Sequence, residues 1–242
     1  MQQEFYHVLN RGVDKRTIFT DSRDYARFIH DLYEFNSTER TDPNVYRNFS
    51  IDKMMDIGCS SSESKSDVAS AASRQHVLRT GERLVDIHFF CLMPNHYHLL
   101  LSPLVEHGIS LFMKKVNMGY AKYFNERNER SGSLFQGKYK SIHITNEAHF
   151  MYLPFYIHLN PLDLCAPEWR IQKINDIKNT LAYLTSYRWS SHLDYSGRRN
   201  FPSITNRKFF EKFFASAGGY DTALNNYLKT FDIQDITSVT LE

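Results

Sequence analysis

Two short stretches of this chain carry residue types that can do chemistry together. The first is Cys91-Leu92-Met93-Pro94-Asn95-His96-Tyr97-His98-Leu99-Leu100-Leu101, an apolar run with two histidines two residues apart. On a β-strand, side chains alternate between faces, so His96 and His98 project from one face and Tyr97 and Leu99 from the other. Two imidazoles side by side on a strand can each give a ring nitrogen to one metal ion. The second stretch is Phe155-Tyr156-Ile157-His158-Leu159-Asn160-Pro161. On a helix, residues four apart share a face, which brings Tyr156 and Asn160 together. Such a helix set against such a strand offers three neutral metal ligands, His96, His98 and Asn160, and one oxygen nucleophile, Tyr156. That donor set leaves coordination positions open for a substrate phosphate. A lone His-x-His is weak evidence in a chain with 11 histidines; the second stretch raises its weight.

The elements around these stretches can be read from pattern. Residues 4–9 are rich in β-formers and read as a strand, ended by a turn at Asn10-Arg11-Gly12. Asp21 or Ser22 caps a helix over 23–36. Residues 37–76 break the pattern, with a polar low-complexity run from Ser60 to Ser66, and read as a mobile insertion. Residues 84–91 and 96–102 read as two strands joined tightly at Met93-Pro94-Asn95. A long amphipathic helix follows over 107–127, then a glycine turn at 132–137 and an alternating strand over 138–144. Asn146 caps the helix that carries Tyr156 and Asn160. Pro154 predicts either a kink in that helix or a fresh helix starting at Pro154. Beyond Cys165 come helical segments near 171–186 and 207–230, an extension that docks either on the core or on a ligand.

Several tempting residues have plainer readings. Tyr120 is a rival nucleophile, but it lies on the apolar stripe of its helix and belongs to the core. His88 and His143 read as structural sheet histidines. The aromatic stripe of the 23–36 helix reads as packing.

Composition sets bounds. The chain has 242 residues, 42% of them hydrophobic, enough for one large domain or a domain plus an extension. A net charge of +2 neither demands nor excludes a nucleic-acid partner. Three scattered cysteines form no disulfide framework and no zinc pattern, which fits a reducing cytoplasm. The first residues do not read as a signal peptide, and no apolar run is long enough to span a bilayer.

The sequence resembles the single-tyrosine HUH transposases, specifically the REP-associated tyrosine transposase-like group within the IS200-like family. Four blocks carry the likeness, in order: Tyr6 to Gly12, Met93 to Leu101 with His96-Tyr97-His98 as the HUH motif, Gly132 to Lys140, and Tyr156 to Pro161. They span roughly residues 5–165, with an echo at Tyr187 to Ser191. The resemblance implies an α+β fold: a ferredoxin-like antiparallel sheet with helices on one face, plus a mainly helical C-terminal extension. It implies a catalytic domain over 1–165 and the extension over 166–242. It also implies metal-dependent nicking and strand transfer of single-stranded or hairpin DNA, with Mg²⁺ or Mn²⁺ on His96, His98 and Asn160. Tyr156 would form a 5′-phosphotyrosine. The implied setting is the cytoplasm, at the nucleoid and off the membrane, and members often act as homodimers. Arg11, Lys114, Lys115, Lys122, Lys138 and Lys140 are the candidate DNA contacts; for the three helix lysines an ordinary solvated face is an equal reading. Two other functions stay open. One is a domesticated DNA-binding protein without cleavage activity. The other is a water-using metal phosphodiesterase.

Overall fold

A computed structural model describes residues 3–40, 81–171, 174 and 176–230. Most of the expected 37–76 insertion lies outside these residues. Its first residues are held in place: Thr38 N–H donates to Glu82 O, and Lys115 Nζ donates to the carbonyls of Ser37 and Glu39.

The chain runs β1 (Tyr6–Arg11), α1 (Ser22–Glu34), β2 (Val85–Met93), β3 (His96–Pro103), α2 (Gly108–Arg127) and β4 (Lys140–His143). Asp21 caps α1 by accepting from the backbone of Arg23 and Asp24. The sheet order is β2-β3-β1-β4, and every neighbouring pair is antiparallel. A β-α-β-β-α-β chain in that order is the ferredoxin-like arrangement, so the α+β expectation holds. The register places Arg11 opposite His96 and Leu9 opposite His98. It also places Leu9 opposite Lys140 and Cys91 opposite His98.

One sheet face carries Val8, Phe90, Leu92, Tyr97, Leu99 and Leu101, packed under α1 and α2. The other carries Phe89, Cys91, Met93 and Leu100, covered by α3 (Glu147–Leu159) and by the C-terminal region. Helices therefore cover both faces, where the sequence reading put helices on one. This is why all nine residues of β2 are buried and its sequence barely alternates.

α3 is a single unbroken helix through Pro154. The proline forfeits one helical hydrogen bond, and burial of the turns on either side holds the helix together. Asn146 caps it through the His149 N–H, as expected. Two 3₁₀ turns follow, Asn160–Leu164 and Pro167–Ile171. Then come α4 (Ile177–Ser186), α5 (His192–Tyr195), α6 (Lys208–Ala215) and α7 (Tyr220–Thr230). The expected 207–230 segment is two helices, because Gly218 and Gly219 between them take φ +81° and +97°, left-handed values that break a helix.

The C-terminal region docks on the core. Phe210, Phe214, Tyr220 and Leu224 join the cluster under α3. The Tyr187–Ser191 block hydrogen-bonds along β2, through Leu92 N–H to Trp189 O at 2.9 Å and Ser191 N–H to Phe90 O at 3.0 Å. It thereby covers what would be an open sheet edge. Among the described residues no helix is long and apolar enough to cross a membrane.

Candidate active site

The tight β2–β3 turn starts β3 at His96, and strand alternation does the rest. Tyr97 turns to the α1–α2 layer, where its hydroxyl donates to Asn117 at 2.7 Å. His96 and His98 turn to α3. Both are buried, and burial holds His96 down to about 4 and His98 well below its ordinary value. Both rings are therefore neutral at pH 7 and able to present a lone pair.

Each ring has one nitrogen anchored. His98 Nδ1 lies 3.0 Å from Nε2 of His7 on β1, and His96 Nδ1 lies 2.6 Å from Asn95 Oδ1. Oriented in this way, the Nε2 atoms are the ones turned toward the site. His98 Nε2 is buried and has no hydrogen-bond partner, while His96 is also hydrogen-bonded to Asn160. His7 is a site residue that sequence reasoning passed over. Burial pushes it down to about 3, and its position beside His98 follows only from the β1–β3 register.

α3 brings Tyr156 to the same place. Its ring packs edge-on against His98 at 5.5 Å between centroids and against His7 at 6.1 Å. Asn160 is fully buried at the helix end, and its Nδ2 donates to the Tyr156 carbonyl at 2.7 Å. The four residues read from the sequence thus share one site. They fit a divalent ion: imidazole nitrogen and amide oxygen are donor types such ions accept, and one imidazole nitrogen is buried without a partner. Among the described residues no cluster of three or more His, Cys, Asp or Glu is placed to hold a metal, so the third donor would be Asn160.

A cleft of about 570 Å³ opens beside His96, lined by Arg11, Lys15, Thr17, Asn95 and Asp163 among others. Its wall is set by the segment after β1, where Gly12 N–H bonds Asn95 O and the Ile18 and Phe19 N–H groups bond Pro94 O. A Cβ on Gly12 would lie 2.4 Å from Arg16 O, so only glycine fits this close return.

The basic residues divide. Arg11 shares a sheet row with His96 and lines the cleft. Lys140 is exposed on β4, in the same row as His98 and therefore on the same face. Lys138 is exposed in the preceding turn, with its ammonium 5.9 Å from the Tyr139 ring centroid. Lys114, Lys115 and Lys122 lie on α2, which packs on the opposite face. There Lys115 tethers residues 37–39 and Lys122 pairs with Glu126 at 3.7 Å. Lys15 and Thr17 went unread because nothing in their loop has a period. The rival Tyr120 is buried, its hydroxyl on Ile18 O at 2.5 Å. His88 is packed, with Ser102 Oγ at 3.0 Å and Asn206 O at 3.1 Å.

No curated protein gives a significant match to the sequence. A solved structure of a REP-associated tyrosine transposase bound to a REP hairpin is similar over 84% of this chain and 85% of that chain, at 12% identity and a TM-score of 0.43. Residues 75–160 match the family model described as "Transposase IS200 like", a span that holds His96, His98, Tyr156 and Asn160. That span covers 86 of the chain's 242 residues, and over it the chain is similar to the IS200-like transposases.

Proposed function

We propose that this chain nicks and rejoins single-stranded DNA, with hairpin-containing DNA as its substrate and Tyr156 as its nucleophile. The observation that carries the reading is the buried, unpartnered Nε2 of His98 on the sheet face against which the Tyr156 ring packs. A reserved lone pair beside a tyrosine on a rigid helix is what a phosphoryl-transfer site needs.

In this reading His96, His98 and Asn160 hold Mg²⁺ or Mn²⁺, which when bound polarises the scissile phosphate. The Tyr156 oxygen gives up its proton and forms a bond to phosphorus, and the bond from phosphorus to the 3′-oxygen breaks. That oxygen takes up a proton and leaves as a 3′-hydroxyl, and the 5′ end stays on the tyrosine. Attack by another 3′-hydroxyl reverses the step and releases Tyr156. The phosphodiester energy is kept in the tyrosyl bond, so rejoining needs no ATP. Arg11 and Lys15 in the cleft and Lys140 on the sheet supply charge for the DNA backbone. One tyrosine handles one strand end, so a homodimer would handle two.

The test is a denaturing-gel search for a covalent adduct, using a pool of labelled single-stranded hairpin oligonucleotides and Mn²⁺. Wild type should form one, and Tyr156→Phe and His96→Ala should not. Cleavage without an adduct would turn the reading to a water-using phosphodiesterase. Binding with neither would turn it to a DNA-binding protein that does not cut.

A further inference from the structure

One cation at the site is unaccounted for by that scheme. Arg170 lies beyond the 75–160 family match, on the 3₁₀ turn after α3, yet it reaches back over the centre. Its Nε and Nη2 donate to the two Asp163 carboxylate oxygens at 2.9 and 2.7 Å. Nη2 also reaches Asn160 Oδ1 at 3.3 Å. Its guanidinium carbon sits 5.4 Å from the Tyr156 ring centroid and 4.9 Å from that of Trp169. Arg170 and the Tyr156 side chain are hydrogen-bonded. Trp169 Nε1 donates to the same Asp163 oxygen at 2.7 Å, which fixes the carboxylate that fixes the arginine.

An ion pair that served only to pin the turn would need Asp163 alone. Here one planar fork spans the carboxylate, the amide of a proposed ligand and the proposed nucleophile. A guanidinium can do this because its donors diverge in a plane and its charge is permanent; a lysine is a single point charge and cannot span all three.

We propose that Arg170 is a further catalytic residue, which holds the Tyr156 oxygen in its attacking position and offsets the negative charge on that oxygen when the tyrosyl–phosphorus bond breaks on rejoining. Asp163 is the positioning residue that aims it. The proposal rests on Tyr156 being the nucleophile. No new group is consumed: the bonds made and broken are those of strand transfer, and Arg170 keeps its protons throughout.

The experiment measures adduct formation by the full chain on the hairpin pool with Mn²⁺. Arg170→Ala and Arg170→Lys should each form adduct about 100-fold more slowly, the loss seen when one preorganised donor to a charged oxygen is removed. Millimolar guanidinium should restore part of the rate to Arg170→Ala and none to Tyr156→Phe. Hairpin binding in EDTA and the melting temperature should stay near wild type in Arg170→Lys, which separates chemistry from folding. Asp163→Asn should slow the reaction less than Arg170→Ala does. A wild-type rate in Arg170→Ala or Arg170→Lys would overturn the assignment and leave Tyr156 standing. So would a loss that guanidinium does not relieve. Absence of any wild-type adduct would remove the Tyr156 reading, and this one with it.

Discussion

His98 and His158 are both fully buried, on elements that face each other across the same layer, yet their nitrogens are used differently. His158 has both occupied: Nδ1 lies 2.6 Å from Tyr220 Oη and Nε2 lies 2.7 Å from Ser191 Oγ. His192 joins through the same Tyr220 hydroxyl at 2.9 Å, and Ser191 Oγ accepts from Phe90 N–H at 3.0 Å. That network is closed and ties α3, β2 and the C-terminal region together. His98 is anchored on one nitrogen by His7 and leaves the other without a partner. Burial alone therefore does not mark a functional histidine. A satisfied pair of nitrogens reads as structure, and a buried ring nitrogen without a partner, as on His98 and its neighbour His7, reads as part of a site.

The largest test of this contrast is catalytic. Tyr156→Phe and His98→Ala should each lower adduct formation by about 1000-fold or more, while His158→Ala keeps it at temperatures where the variant is folded. His158→Ala should instead reduce stability by about 3 kcal/mol in denaturant unfolding, because it opens a cavity and takes one hydrogen-bond partner from each of the Ser191 and Tyr220 hydroxyls. A loss under about 1 kcal/mol would break the structural half of the comparison. Mn²⁺ at about 100 times its dissociation constant should stabilise wild type by about 2.7 kcal/mol, and His158→Ala by as much from its lower baseline. His98→Ala should show no such shift; if it does, the ion sits elsewhere.

Acid should act on both regions alike. Burial lowers His96 and His192 to about 4 and His7 to about 3, and holds His98 and His158 well below their ordinary value. Below pH 6.5 the unfolded chain takes up protons that the folded chain refuses. Stability is therefore full above that pH and falls as pH drops toward about 4, by about 1.4 kcal/mol per pH unit for each such histidine. Chemical denaturation at pH 7, 6 and 5 checks the slope, and a flat profile would mean that these rings are not held neutral. The smallest effect concerns DNA. Arg11→Ala should reduce the salt dependence of single-strand binding by about 0.7 in log–log slope, and Lys115→Ala should leave it unchanged.

Much of the site was legible because it depends on local periods. The His-x-His spacing assigned both rings to one face, and the i, i+4 spacing paired Tyr156 with Asn160. The apolar stripe put Tyr120 in the core, and Asp21 and Asn146 announced their helices by cap chemistry. Pro154 does not start a fresh helix, because a local rule against proline in a helix says nothing of the burial that holds α3 together. The α2 lysines were offered as DNA contacts since a helical wheel shows which side is polar but not which sheet face the helix covers.

By itself, then, the sequence determined the order and kind of the elements around the site and the direction of its four central side chains, since a strand alternates and a helix repeats wherever it is placed. Only the tertiary structure decided the sheet order, the packing of α3 and the C-terminal helices on the second face, and the neighbours that complete the site. His7 reaches His98 through strand register, Lys15 enters the cleft through a loop that returns to the β2–β3 turn, and Arg170 arrives from a 3₁₀ turn. These are contacts between residues distant in sequence or set by irregular backbone. No period encodes them, and they exist only once the layers have packed.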